Sequence, residues 1–327
     1  MKELIEATKF ARKNKLAVFV LGGGSNILVS DEGFDGLVIK MNICGSNFTK
    51  TQVDLRIQAR AGEMWDDVVA RAVELNADGI ENLSLIPGTV GGAVYQNIGA
   101  YGVELKDVLI SVKAYDIKSD EVIELSNRDC DFGYRSSVFK KNKNLVILGT
   151  KLLLPKSNKP NLSYPDLQKR FNGLKPTISE VRQAIIEIRL NKIPYPSNIM
   201  PQILKNKGHL LVANAGSFFK NPAIPIINYQ LLTIKFPDLK GREMTNGLIR
   251  LSAAQFIEKS GFKGKRFGNV GVSEKHALVL VNYDNGTAKE LIDLAEKIRV
   301  TVKTKFGVEL EAEVEGLIYR ANDRLQR

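Results

Sequence analysis

The stretch "IPGTVGGAVYQNIGAYG", residues 86–102, decides the fold class of this chain. It sets five glycines among small residues, with one proline and no charge. Glycine removes the Cβ obstacle and lets successive backbone N–H groups converge on an anion. A second cluster, "LGGGSN" at 21–26, follows the apolar run "LAVFV". Neither cluster follows Gly-x-Gly-x-x-Gly, because Ile27 stands where the first would need its last glycine, and no Walker loop is present. A tight turn explains the first cluster alone. The density of the second favours ligand binding, and two such loops suit a cofactor that carries a diphosphate.

Working outward, strands and helices alternate without repeats. "MKELIEATKFARKNK" reads as a helix, "LAVFVLGGGSN" as a strand entering a glycine turn and "LVIKM" (37–41) as a second strand, a small βαβ element. "VDLRIQARAG" (53–62) alternates at period two, as a half-buried strand does. In 63–76, Trp65, Val68, Val69, Ala72 and Val73 share one helical face, which makes Trp65 core. A hairpin turning near Lys118–Asp120 and a strand over 145–155 follow. Thr177 with Glu180, and Thr287 with Glu290, form capping boxes; Gly307 closes the last helix. The end of the chain, "VELEAEVEGL", alternates Val308, Leu310, Ala312 and Val314 against Glu309, Glu311, Glu313 and Glu315. The class is α+β, and the proline-rich "PYPSNIMP" (194–201) marks a lobe boundary.

Composition excludes several functions. The 327 residues carry a net charge of +11, but the basic residues are dispersed and not interleaved with aromatics, so the charge reads as a pull on anionic substrates. Apolar runs such as "LVLV" (278–281) are too short for a bilayer, and the first fifteen residues lack the apolar centre of a signal peptide; a cytoplasmic protein is expected. Cys44 and Cys130, far apart, read as two buried thiols with no disulfide and no metal. Arg135 in "CDFGYRSSVFK" has the fork that binds carboxylate or phosphate, and Lys192 and Lys220 are further anion binders; each is as readily surface.

"NAGSFFKNP" (214–222) places Ser217 after Ala-Gly. With two histidines in the chain and no Gly-x-Ser-x-Gly, a hydrolase triad is a poor reading of Ser217. Phe218 and Phe219 read as core. Spacing selects no single glutamate of the last four, and connects none of them to Ser217 or Arg135.

In chain order, "GGGSN", "ENLSLIPGTVGGAVYQNIGAYGVEL", "FGYRSSVFK", "NAGSFFKNP", "KHALVLVN" and "LEAEVE" resemble the UDP-N-acetylenolpyruvoylglucosamine reductases, flavoenzymes of peptidoglycan precursor synthesis. The resemblance implies a two-lobed FAD-binding module of the vanillyl-alcohol-oxidase type plus a third α+β substrate-binding lobe. Its boundaries would be 1–41, then 42–193 completed by 307–318, then 194–306. It implies FAD, NADPH as reductant, and UDP-N-acetylglucosamine enolpyruvate as substrate, in a monomer with no nucleic-acid or membrane partner. Carried over, Arg135 polarises the enolpyruvyl carboxylate, Ser217 is the general acid and Glu313 assists the enolate. Gly22, Gly23, Gly24, Ser25 and Asn26, with Pro87, Gly88, Thr89, Gly91, Gly92, Asn97, Gly99, Ala100, Tyr101 and Gly102, match the flavin loops. Tyr164, Lys192, Asn221 and His276 match substrate-site positions, and Tyr164 resembles the tyrosine of a subclass with an extra substrate-covering loop.

The chain departs from the family in three places. The family begins with a further strand and an Asn-Thr-Phe motif, so the first lobe here is expected to show an unpaired edge. Residues 197–213, with His209, are interposed before the serine, and are expected to form a surface excursion. Ala312 stands where the family commonly has proline. Two other readings follow: a decayed homologue that binds no flavin, and a cationic nucleic-acid binder.

Overall fold

Alternation in 54–60 is realised as a strand, Asp54–Arg60, with Leu55, Ile57 and Ala59 buried and the residues between them exposed. It is the second strand of a five-stranded antiparallel sheet. The order is Ser46–Lys50, Asp54–Arg60, Leu145–Pro155, Leu109–Asp116 and Glu121–Ser126. The last two form the expected hairpin, with Asp116 opposite Glu121. The helix Trp65–Glu74 lays its apolar face on this core, and the indole of Trp65 donates to the Leu83 carbonyl at 3.0 Å. The computed structural model describes residues 1–192, 213–283 and 285–317. Among them, residues 1–24 and 35–189 cluster as one unit, and 25–34, 190–192, 213–283 and 285–317 as a second.

The first unit also holds a parallel pair, Ala17–Leu21 with Gly36–Lys40, which has no third strand among the described residues. The expected βαβ element is absent. No helix lies between these strands; the link runs through the glycine loop and the short strand Ile27–Val29. That strand pairs in parallel with Glu315–Leu317 inside the second unit.

In the second unit, Ala213–Ser217, Val279–Asn282, Val270–Val272 and Arg266–Phe267 form an antiparallel sheet. The long helix Ala288–Phe306 packs on it through Leu294, Ala295, Ile298, Val302 and Phe306. Both capping boxes form, and Gly307 takes the left-handed conformation that stops the long helix. Of the expected strand over 308–317, only Glu315–Leu317 is regular; before it, Ala312 makes a single bridge to Phe219. Its alternation survives: Val308 and Leu310 are buried while Glu309 and Glu311 are exposed. One cysteine departs from expectation. Cys130 is buried, and desolvation pushes its thiol up to about 12. Cys44 is exposed, in the irregular link that enters the edge strand Ser46–Lys50. The boundary at 194–201, the segment 197–212 and His209 lie outside the described residues. No described helix is long and apolar enough to cross a membrane.

Candidate active site

The two glycine clusters meet in the first unit. A Cβ on Gly22 would come 2.9 Å from Thr89 Oγ1, so the loop after Ala17–Leu21 touches the second cluster with bare backbone. Lys40 Nζ reaches the Gly22 carbonyl from the neighbouring strand. Thr89 caps the short helix Val90–Tyr95, accepting from Gly92 N. Gly91 N donates to the Ala61 carbonyl at 2.9 Å, and a Cβ on Gly91 would come 3.1 Å from that oxygen. Farther on, Gly99–Ala100 and Val103–Glu104 pair across Tyr101 and Gly102, whose φ values are 48° and 86°. Two successive positive φ values make this a type I′ hairpin turn. Backbone this close-packed and this short of side chains fits the phosphate end of a dinucleotide. The chain passes into the second unit at Ser25 and Asn26.

The irregular backbone is fixed by buried side chains. Leu85 is fully buried at φ 57°, a conformation that costs a leucine about 1–2 kcal/mol. Its N–H donates to Asp66 Oδ1 at 2.6 Å, and its carbonyl accepts from Arg189 Nε at 3.1 Å. Asp66 in turn receives both guanidinium nitrogens of Arg182, at 2.8 and 2.9 Å. Asn97, buried at φ 45°, donates to Glu104 and to the Gly133 carbonyl and accepts from Lys106 N, each at 3.0 Å.

These contacts also place Arg135. It sits at the tip of a tight turn closed by Gly133 and Ser136, with φ 55°. Its Nη2 donates to the Gly99 carbonyl at 2.8 Å, and the guanidinium carbon lies 5.1 Å from the centre of the Tyr134 ring. Ser137 Oγ donates to the Tyr95 carbonyl at 2.5 Å. The arginine loop is thus stapled to the glycine segment at three points. Tyr164 precedes the helix Pro165–Arg170 and meets Tyr101 edge to face, ring centres 5.0 Å apart.

In the second unit, Ser217 ends the strand Ala213–Ser217 opposite Val279, after an irregularity at Gly216. Gly216 has φ 73°, and its N–H donates to Asn214 Oδ1 at 3.0 Å. This bulge requires the glycine before the serine. Phe218 N donates to the Leu278 carbonyl at 2.7 Å on one side, and Glu313 N donates to the Phe218 carbonyl at 2.8 Å on the other. Phe218 and Phe219 are core, as expected. His276 Nδ1 accepts from Leu278 N at 3.2 Å. Asn26 Nδ2 donates to the Glu313 carbonyl at 3.2 Å, so Ser217, His276, Glu313 and Asn26 are knit into one framework. Asn221 Oδ1 accepts the first N–H of the helix Ala253–Lys259 at 3.0 Å.

The four glutamates are no longer equivalent. Glu309 pairs with Lys303 and Arg299, which hold its carboxyl below the usual range, Lys303 the more strongly. Glu311 pairs with Lys220. Glu313 is half-buried and sits beside the serine strand through the Phe218 contact. Lys192 is the exposed last residue of the helix Ile178–Lys192.

Sequence reasoning passed over Asp66, Asn82, Arg182 and Arg189. The one trace of Asp66 in the sequence is a carboxylate within the helical turn that carries Trp65 and Val69. Nothing local ties it to an arginine 116 residues away.

Comparison with known proteins matches residues 207–317 to the family described as UDP-N-acetylenolpyruvoylglucosamine reductase, C-terminal domain, and residues 1–126 to the FAD binding domain family. A UDP-N-acetylenolpyruvoylglucosamine reductase of Flavobacterium johnsoniae is 37% identical over 321 residues, covering 96% of this chain and 90% of the relative. One of Pseudomonas aeruginosa is 41% identical over 313 residues, covering 94% and 88%. Among solved structures, the UDP-N-acetylenolpyruvylglucosamine reductase of Thermus caldophilus is similar in fold, with TM-score 0.59 and 23% identity over 94% of this chain and 88% of that one.

Proposed function

This chain belongs to the UDP-N-acetylenolpyruvoylglucosamine reductase family, and on that premise we propose that it reduces UDP-N-acetylglucosamine enolpyruvate to UDP-N-acetylmuramate with NADPH and FAD. The observation that carries the reading is the framework around Ser217. A half-buried hydroxyl stands on a bulge whose following backbone is bonded to Leu278 and Glu313. That suits a group that must meet one carbon atom repeatedly.

The reaction adds a hydride to the methylene carbon of the enolpyruvyl double bond and a proton to the adjacent carbon, while NADPH becomes NADP⁺. FAD, when bound, relays the hydride. Gly22, Gly24 and the 87–102 segment would hold its diphosphate end. Arg135 binds the substrate carboxylate, where its charge opposes the negative charge that builds in the transition state. Ser217 Oγ–H donates the proton to the carbanionic carbon. No base beside the serine is needed, which accords with His276 being engaged by Leu278 N. Glu313 assists in stabilising the enolate. Lys192, Asn221 and His276 line the sugar-nucleotide, and Tyr164 covers it as in the tyrosine-loop subclass. The reading includes three lobes, a cytoplasmic location and a monomer.

Rapid mixing tests it. Ser217→Ala should take up hydride from NADPH at the wild-type rate without oxygen. Its reoxidation by the enolpyruvyl UDP-sugar should slow by about 10²–10⁴-fold, the usual worth of a positioned acid. Wild-type reoxidation would remove Ser217 from the proton transfer. A purified protein that stays colourless after FAD is added would overturn the whole reading in favour of a decayed homologue.

A further inference from the structure

Asn82 is fully buried in the single helical turn Glu81–Leu83. Its Nδ2 donates to two carbonyls from different loops, Tyr101 and Asn161, both at 2.8 Å. Tyr101 belongs to the glycine hairpin. Asn161 belongs to the segment 156–164, which has no helix or strand of its own and ends at Tyr164. The neighbouring Glu81 accepts the Asn161 N–H at 3.3 Å, so the Asn161 peptide is gripped at N–H and C=O by consecutive side chains. Asn161 Oδ1 then accepts Ser163 N at 2.9 Å, and the chain reaches Tyr164. There the ring stands edge to face against Tyr101.

We propose that Asn82 is a positioning residue for Tyr164: one amide nitrogen, holding the carbonyls of Tyr101 and Asn161, fixes the tyrosine against the glycine hairpin and so sets how tightly substrate is held. The chemistry of the side chain is specific to this task. Two carbonyls need two hydrogens on one atom, which an amide nitrogen has and a carboxylate or hydroxyl does not. The hairpin has other anchors, since Gly99 is held by Arg135 and Asn97 holds Glu104. The tyrosine loop keeps the weaker holds of Glu81 on Asn161 N, at 3.3 Å, and of Asn161 Nδ2 on the Gly102 carbonyl, at 3.4 Å, so loss of Asn82 loosens the loop without releasing it. This rests on the reading of Tyr164 given above.

The test is a double-mutant cycle on the holoenzyme. Asn82→Ala should raise KM for the enolpyruvyl UDP-sugar by about tenfold, with kcat and the anaerobic rate of flavin reduction by NADPH within about twofold of wild type. Tyr164→Ala should raise KM by a similar factor, and the double variant should be no worse than either alone. Hydrogen exchange in the peptide spanning 156–164 should quicken in Asn82→Ala. Should that variant lose flavin, Asn82→Ser, which keeps one donor, carries the same test with a smaller rise. If Tyr164→Ala raises KM while the Asn82 variants do not, or if the two effects multiply in full, the role of Asn82 is overturned and that of Tyr164 stands. An unchanged KM in Tyr164→Ala overturns both.

Discussion

The glycine segment 84–102 and the serine segment 213–221 both hold irregular backbone in place, and they do it by different means. The first is fixed largely by side chains reaching main-chain atoms: Asp66 and Arg189 on Leu85, Asn82 on Tyr101, Arg135 on Gly99. The second is fixed largely by main chain on main chain, through Phe218 to Leu278 and Glu313, and Lys220 to Glu311. A backbone ladder does not depend on which side chain it carries. A side-chain anchor can be removed by one substitution. The glycine segment should therefore be fragile to mutation at a distance, and the serine segment, outside the bulge from Asn214 to Gly216, should tolerate change in everything except its chemistry.

The largest expected effect tests the second half of that contrast. Ser217→Ala removes a hydroxyl and leaves the backbone pairing opposite Val279 in place. Proton delivery should fall by the factor of about 10²–10⁴ given above, yet the urea midpoint should shift by no more than about 0.5 kcal/mol equivalent, as for changes that leave packing intact. A large loss of stability would show that the hydroxyl itself holds the strand.

Next comes Arg182→Met, which attacks the first half. Asp66 would keep a buried charge without its bidentate partner, a loss of about 3–5 kcal/mol in comparable pairs. Leu85 would then be free to leave its left-handed conformation, and FAD affinity should fall with stability. Asp66→Asn together with Arg182→Met should recover most of the stability, because no uncompensated charge remains. Urea melts and flavin titrations read both. An Arg182→Met protein as stable as wild type would mean that the segment holds its own shape.

This contrast also explains what could be read in the sequence. Features with a short period or a local partner were legible: the Trp65 face, the alternation over 54–60, the 116–121 hairpin and both capping boxes. The glycine clusters were legible as density, and the family motifs supplied the roles. Long-range anchors were not. Asp66 and Arg182 meet across 116 positions. Tyr101 takes the left-handed place in a hairpin that usually calls for asparagine or glycine. The spacing of the four glutamates did not show that Glu309 would pair with Lys303 and Arg299, or Glu311 with Lys220. That Ile27–Val29 would pair with the chain's last described strand left no mark in either segment.

A smaller effect sharpens the picture of loop against loop. Gly22→Ala puts a methyl 2.9 Å from Thr89 Oγ1, too close to stay unrelieved. FAD affinity should drop by roughly tenfold, the scale of about 1.4 kcal/mol of strain or displacement. Thr89→Ala in the same chain removes the atom that is struck and should restore part of the affinity, at the cost of the weak cap on Gly92 N. If the double variant binds no better than Gly22→Ala, the obstruction lies between the methyl and the cofactor itself, and the two loops are less closely coupled than their contact implies.

The smallest effect is set by pH, and it bears on Glu81, the anchor that grips Asn161 beside Asn82. Burial pushes its carboxyl above the ordinary 4.5, and the Asp78 charge adds to this; N–H groups, Gly79 and Asn161 among them, pull it back. An acid whose folded value is raised binds its proton more readily folded than unfolded. Ionisation therefore costs the folded state, and stability falls as pH rises from about 4.5 through the raised value, then levels. Glu81→Gln cannot ionise, so the wild type should lose ground to it over that window as pH is raised, by urea melts taken at about pH 4, 5, 6 and 7. The effect is small because the same N–H groups that anchor the loop also stabilise the charge. Gly79 N donates to Oε2 at 2.6 Å and Asn161 N to Oε1 at 3.3 Å, and a protonated carboxyl or an amide keeps one full acceptor for the two. A difference that stayed flat across the window would mean that these donors cancel the burial outright, and that Glu81 is an anchor at every pH the enzyme meets.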